Sequence, residues 1–175
     1  MIHSAVARRS LRRTVLLTPL LALALSGCGG NETEQEKVEA ALDRFAQDLA
    51  ATPIDPAKLP ARIQTYLKGN PSFFGSTVAL LGANQKVNLS PYVYQKDAGY
   101  AESNLMDPAY DIDNQTWLVV PRSTGKSNWT APYFDDGGGN IWMVTRSVPL
   151  INSAGQVYAV VTTDLPTANP NSPVR

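Results

Sequence analysis

Apolar residues recur at Val38, Leu42, Phe45 and Leu49, in steps of four, three and four. That spacing places side chains on one face of an α-helix. Asn31 with Glu34 three residues on has the form of a capping box, so an amphipathic helix is expected over about residues 32–51. Its opposite face carries Glu32, Glu36, Glu39, Asp43 and Asp48 and reads as a solvated acidic face. A stripe this short is expected to pack on its own domain. Thr52-Pro53-Ile54-Asp55-Pro56 breaks the helix, and Leu59, Ile63, Tyr66 and Leu67 mark a second, short one closed by Gly69 and Pro71. From Phe73 onward the pattern changes to short β-prone runs at residues 74–81, 92–96, 116–120, 141–150 and 157–165, with turn residues between them. The last two flank Asn152-Ser153-Ala154-Gly155 and read as a hairpin, entered through the aromatic, polar stretch that begins at Trp129. Five β runs after a long helix predict an α+β fold in which helices pack on an antiparallel sheet.

Composition narrows the chemistry. The chain has 175 residues, enough for one domain with a proper core. Of its 15 basic residues, Arg8, Arg9, Arg12 and Arg13 lie in the N-terminal segment. The remaining 11 face 15 acidic residues, a net charge of −4 from residue 28 onward. With no basic cluster there is no electrostatic footprint for nucleic acid. His3 is the only histidine and Cys28 the only cysteine. This excludes a Ser-His-Asp or Cys-His nucleophilic site, a zinc site of His and Cys ligands, and an intrachain disulfide. Only carboxylates, Lys, Tyr and Ser remain for catalysis, and no enzyme and no cofactor are expected.

Residues 1–27 combine a basic start with an apolar run from Val15 to Leu25, broken only by Thr18 and Pro19. The run is shorter than the ~20 apolar residues of a membrane-spanning helix and has the form of a secretory signal. Leu25-Ser26-Gly27-Cys28 resembles the bacterial lipobox. The resemblance implies cleavage before Cys28 and acylation of its thiol, which would anchor the protein to a lipid bilayer. By the sorting rule of such lipoproteins, Gly29, standing where an aspartate would favour inner-membrane retention, implies the outer membrane. The expected organisation is a lipoprotein signal peptide over 1–27, an anchor and short tether over 28–31, one folded domain over 32–165 and a proline-rich tail over 166–175.

Several motifs are weaker than they look. Asp111-Ile112-Asp113-Asn114 suggests a calcium loop, but Thr116 and Arg122 stand where that loop needs glycine and glutamate. Gly137-Gly138-Gly139 lacks the strand-glycine-helix order of a phosphate cradle and reads as a tight hairpin turn. Asp135 and Asp136 are adjacent near a turn, where neighbouring side chains point apart, so they make a poor acid-base pair.

As an ordered set, the remaining features resemble a Cache domain, the extracytoplasmic sensor module also called PDC-like. They are the long helix, Asn70-Pro71 leading into Phe74-Gly75-Ser76, Ser90-Pro91-Tyr92, and then Tyr110 and Trp117. Trp129-Thr130-Ala131-Pro132-Tyr133, the Asp-Gly turn, Val148-Pro149 and the strand ending Thr163-Asp164-Leu165 complete the set. Residues 132–150 look especially like the Cache sensors fused to bacterial PP2C-type phosphatases. The resemblance spans about residues 32–165 and implies a long helix against an antiparallel sheet with a small-molecule pocket. Amino-acid-binding members carry Tyr-x4-Arg-x-Trp-Tyr, a further Tyr, and an Asp ending the last strand. Tyr110, Trp117, Tyr133 and Asp164 match this pattern. Gln115 replaces the arginine and Leu118 the second tyrosine. A neutral amide cannot reproduce the bidentate clamp of arginine on a carboxylate, which argues against an α-amino acid ligand.

The expected site therefore has Tyr110, Trp117, Trp129 and Tyr133 as aromatic walls, Gln115 in place of the clamp, and Asp164 as acceptor for an amine or cation. Read as residues alone, the aromatics serve equally well as core side chains and Asp164 as a strand-ending cap. The expected function is a lipid-anchored ligand-binding module that reports through a membrane sensor kinase, phosphatase or chemoreceptor. The alternatives are a lipoprotein that binds only a protein partner, or the remnant of a longer receptor.

Overall fold

The computed structural model describes residues 32–172. The signal, lipobox and Asn31 expectations lie outside those residues. Helix α1 (Glu34–Ala51) starts two residues later than the Asn31 box would place it. Thr33 is the N-cap, its hydroxyl taking the Glu36 N–H while the Glu36 carboxylate takes the Thr33 N–H at 2.8 Å. The apolar stripe of α1 is buried at Val38, Leu42, Phe45 and Leu49, as its spacing predicts. Helix α2 (Leu59–Lys68) buries Leu59, Ile63, Tyr66 and Leu67, and its Tyr66 ring stacks on Phe45 of α1 at 4.5 Å. The acidic face of α1 is not wholly solvated. Glu39 accepts the Trp129 indole N–H at 2.8 Å and lies 3.9 Å from Arg146.

The strands are β1 (Gly75–Leu81), β2 (Val87–Leu89), β3 (Pro91–Lys96), β4 (Gly99–Asn104), β5 (Asn128–Trp129), β6 (Tyr133–Phe134), β7 (Trp142–Ile151) and β8 (Val157–Pro166). All pairings are antiparallel, in the order β4-β3-β1-β8-β7-β5, with β2 on β1 and β6 on β7. The two long strands are the predicted hairpin, turned at Asn152 and closed by Gly155 with φ +78°.

Strand alternation sorts the core into two layers. Val78, Val93, Ala159, Val161 and Leu165 meet α1 and α2 on one face. Ala79, Tyr92 and Val160 meet Trp117, Leu118 and Tyr110 on the other. The α+β class with a long helix on an antiparallel sheet is what the structure shows.

One expectation fails, and four strands, β2, β4, β5 and β6, have no counterpart among the five expected runs. Residues 116–120 are not a strand but the first half of helix α3 (Thr116–Thr124), ended by Gly125 in the left-handed region with φ +64°. The β-branched run suggested a strand, yet Trp117, Leu118 and Pro121 form a helical stripe buried against β7 and β8, and burial overrides weak propensity. Strand β4 escaped notice because its residues are exposed or half-exposed at a sheet edge and show no apolar alternation. Among the described residues no helix is long and apolar enough to cross a membrane.

Leu42 is fully buried where α1 meets the sheet. Leu42→Ala is expected to cost about 2–5 kcal/mol in urea unfolding. A loss below 1 kcal/mol would show that α1 is not integral to the core.

Candidate functional site

Strand β8 runs through the middle of the sheet, and Asp164 near its end points to the face covered by α3. The side chain is 4% exposed. Its carboxylate accepts the Tyr92 hydroxyl at 2.9 Å and the Thr145 hydroxyl at 2.7 Å. Thr145 is its cross-strand partner on β7, and its hydroxyl also lies 2.9 Å from that of Tyr133. Asp135, between β6 and the glycine turn, is equally buried. It accepts the Tyr110 hydroxyl at 2.7 Å and the Gly139 N–H at 2.6 Å. The Trp117 indole donates to the Tyr110 oxygen at 3.0 Å. Both carboxylates and the three tyrosines line one cavity of about 10 Å³, together with Thr77, Leu105, Trp117 and Thr162.

This small chamber adjoins a wider pocket of about 160 Å³, lined by Gln115, Thr116, Trp117, Thr130, Ala131, Pro132 and Tyr133. Trp117 and Tyr133 belong to both and form the wall between them. Gln115 precedes α3 and is held by its amide N–H to the Tyr110 carbonyl at 2.7 Å.

The tight packing depends on missing β-carbons. A Cβ on Gly75 would collide with the Tyr92 hydroxyl, and one on Gly138 with the Asp135 carboxylate. The triple glycine is thus the predicted hairpin turn and also the cradle of a carboxylate. Gly137 takes φ +80°, Gly138 leaves room and Gly139 donates.

Burial raises the Asp164 carboxyl from its ordinary 3.8 to about 7. The Asp135 charge adds to the rise, and the Thr145 and Tyr92 hydroxyls oppose it. Burial also raises Asp135, against the pull of the Gly139 N–H and Tyr110. Tyr92, Tyr110 and Tyr133 are pushed up first by burial and then by these carboxylates.

Of the residues singled out in the sequence, Tyr110, Trp117, Tyr133 and Asp164 come together here, with Gln115 at the outer pocket. Trp129 does not join them. It pairs with Arg146 on β7, and its indole faces Glu39 of α1 on the other side of the sheet. Being four residues from Tyr133 in an irregular segment did not fix its side. Sequence reasoning missed Asp135. Asp135 and Asp136 do point apart, Asp135 buried and Asp136 exposed, and that divergence delivers Asp135 alone to the cavity. The glycine three residues on, small enough to clear a carboxylate, was the available signal. Tyr92 was noted only as a strand residue. Asp113, from the rejected calcium motif, pairs with Arg122 at 3.0 Å.

Two outcomes follow from this packing. Between pH 4 and 7 the folded protein retains a proton on Asp164 that the unfolded chain has released. The contribution of this group to stability is therefore greatest at acid pH and falls by up to about 1.4 kcal/mol per unit as pH rises to about 7. Asp164→Asn should flatten this slope in urea melts recorded from pH 5 to 8. Gly75→Ala, by driving the Tyr92 ring aside, should cost at least about 1–3 kcal/mol and change the near-UV tyrosine signal. An unchanged spectrum would contradict the close approach.

The extracellular domain assigned to the histidine kinase soHK1S-Z6 is 27% identical to this chain, with a TM-score of 0.65 over 75% of this chain and 53% of that one. The ligand-binding domain of the Campylobacter jejuni chemoreceptor Tlp3, solved with L-valine, gives 17% identity and a TM-score of 0.54 over 73% and 50%. The periplasmic sensory domain of Campylobacter jejuni Tlp1 gives 13% and 0.58 over 74% and 53%. The last two show the fold alone, and the chain spans about half the length of each solved domain. No curated protein matches the chain. Residues 59–169, which include β1 to β8 and every residue of the inner cavity, match the family model of the methyl-accepting chemotaxis protein-like, first PDC sensor domain; the chain belongs to this family of sensor domains.

Proposed function

We propose that this chain is an extracytoplasmic sensor module of the Cache type that binds a small amine or other organic cation and passes the signal to a separate membrane protein. The carrying observation is the composition of the inner cavity. Two buried carboxylates and three tyrosines surround it, with no Lys or Arg in its wall. A buried negative pair without a countercharge is a demand for a cation, and electron-rich aromatic faces favour one. The cation would come to rest between Asp135 and Asp164. Its uncharged remainder would occupy the outer pocket beside Gln115, Thr130 and Tyr133. Gln115 offers an amide at that end, which suits a hydroxyl, an amide or an alkyl group better than a carboxylate.

Entry requires Tyr133 and the β6–β7 turn to move, since the inner space is smaller than any amine. Ligand would select the opened arrangement and alter the surface around residues 128–141. A kinase, phosphatase or chemoreceptor reading that surface would complete the pathway. The N-terminal features carry the rest of the proposal: a signal peptide over 1–27, acylation of Cys28 and attachment to the outer membrane, with the sensor domain over 32–165 and a proline-rich tail over 166–175. The likeness of residues 132–150 to sensors of PP2C-type phosphatases favours such a phosphatase as the kind of output.

The near-closure of the inner cavity favours one second reading, a module whose pocket is filled by its own side chains and which binds only a protein.

Thermal melts of the full chain at pH 8 in mild detergent decide between them. Ethanolamine, propylamine and methylammonium would be compared with acetate, succinate and neutral amides. A fitting amine at a hundredfold excess over Kd adds about 2.7 kcal/mol, a rise of roughly 5–10 °C for a domain of this size. Asp164→Ala should abolish that rise. A rise surviving in Asp164→Ala, or stabilisation by the acids alone, would sink the cation reading. No rise with any compound, alongside capture of a membrane kinase, phosphatase or chemoreceptor, would establish the second.

A further inference from the structure

We infer that Asp135 and Asp164 hold one proton as a pair in the unliganded protein, and that a cationic ligand enters by releasing it, so that the module reads its ligand against ambient acidity. The ligand half rests on the amine reading above, whereas the proton half stands without it.

The geometry requires the pair to share charge. Both carboxylates border one cavity of about 10 Å³, and two unscreened negative charges in a low-dielectric space cannot both persist without a counterion. The titratable groups facing them are Tyr92 from β3, Tyr110 from the 3-10 turn before α3, and Tyr133 from β6. Tyr66 of α2 reaches Thr163 from behind the sheet, and Asp136 sits exposed on the turn beside Asp135. None is cationic. Every tyrosine here is pushed away from the neutral range, so none can surrender a proton to relieve the pair.

Hydrogen-bond donors decide which carboxyl keeps the proton. Asp135 takes a backbone N–H from Gly139 at 2.6 Å. That donor cannot turn round and always favours the charged form of Asp135, whose other oxygen meets the Tyr110 hydroxyl. Asp164 is met only by hydroxyls, those of Tyr92 and Thr145, and a hydroxyl can exchange donation for acceptance. With Asp164 charged, Tyr133 donates to Thr145 and Thr145 to Asp164. With Asp164 protonated, its O–H donates to Thr145, and the Thr145 hydroxyl turns to donate to Tyr133. The Thr145–Tyr133 contact of 2.9 Å serves either direction. The proton state is thereby written into the orientation of the Tyr133 hydroxyl, on the wall between the inner and outer pockets. When a cation arrives the pair passes from one negative charge to two, the ligand supplies the positive charge, and the proton leaves to solvent.

Two measurements on the full chain separate this inference from the amine reading. First, carboxyl carbon signals of the aspartates are followed by NMR from pH 3 to 9 without ligand. One is expected to titrate near pH 7, to vanish in Asp164→Asn and to move to lower pH in Asp135→Asn, which removes the neighbouring charge. An Asp164 midpoint near 4 in the parent chain, or one unmoved by Asp135→Asn, overturns the pair. Second, methylammonium is titrated calorimetrically at pH 6 in phosphate and in Mes, and at pH 8.5 in borate and in Bicine. Below the midpoint, one proton should be released per ion bound and affinity should rise tenfold per pH unit; release should be absent at pH 8.5. Binding that is equal at both pH values overturns the coupling and leaves the amine reading intact. A near-neutral Asp164 with no methylammonium binding supports the proton pair and overturns the amine reading.

Discussion

Setting a carboxylate in the middle of a β-sheet is the constraint on which the α3-covered face of this protein depends. Asp164 sits on the central strand β8, flanked by β1 and β7, where its neighbours along the chain are core residues. Leaving a charge there unpaired would cost several kcal/mol. The surrounding residues are explained as the measures that make its burial tolerable. Thr145 stands directly across on β7, and Tyr92 reaches over from β3 because Gly75 of β1 has no side chain to block it. The second carboxylate then repeats the arrangement with Tyr110 and a glycine turn. Hydroxyls are the common element. They satisfy lone pairs without bringing in a positive charge that would cancel the field of the site.

The two faces of the sheet are thus divided by chemistry. Toward α1 and α2 lies an apolar layer of Val, Leu, Ala and Phe that supplies cohesion. Toward α3 the layer is mixed, with aromatic rings, buried threonines and two acids. A domain can maintain a polar chamber of this kind when the opposite face carries most of the hydrophobic burial. The apolar layer has a polar contact with β8 directly behind the acid: the Tyr66 hydroxyl lies 2.7 Å from that of Thr163, the residue before Asp164.

What the sequence disclosed follows the same division. Elements with a strong period were legible. Helices α1 and α2 carry a buried stripe and β7 alternates between buried and half-buried positions, while β8 is a near-continuous buried run bounded by turn residues. Elements whose place is set by distant partners were not. Thr116–Val120 has the composition of a strand and became a helix because its stripe docks on β7 and β8. Gly99–Asn104 is held by β3 alone and shows no period. At the site, Tyr110, Trp117, Tyr133 and Asp164 could be named from a resemblance. Trp129 could not be assigned a side from its neighbours, since a one-residue change of register turns every side chain of a strand to the other face. Asp135 became visible only when the turn geometry showed which of two adjacent acids faced inward.

The segment from Trp129 to Tyr133 joins the two faces by a route of five residues. At one end the Trp129 indole is fastened to Glu39 in the second turn of α1. At the other the Tyr133 hydroxyl touches Thr145, which holds Asp164. Between them Thr130 is clipped to β7 in both directions, its N–H to the Thr145 carbonyl and its hydroxyl to the Thr145 N–H. Thr130 is thus a fixed point between a residue of the chamber and one anchored on the far face. A displacement of the Tyr133 ring would therefore have to strain the Thr130 clip or be passed along the chain to Trp129 and its anchor on the long helix.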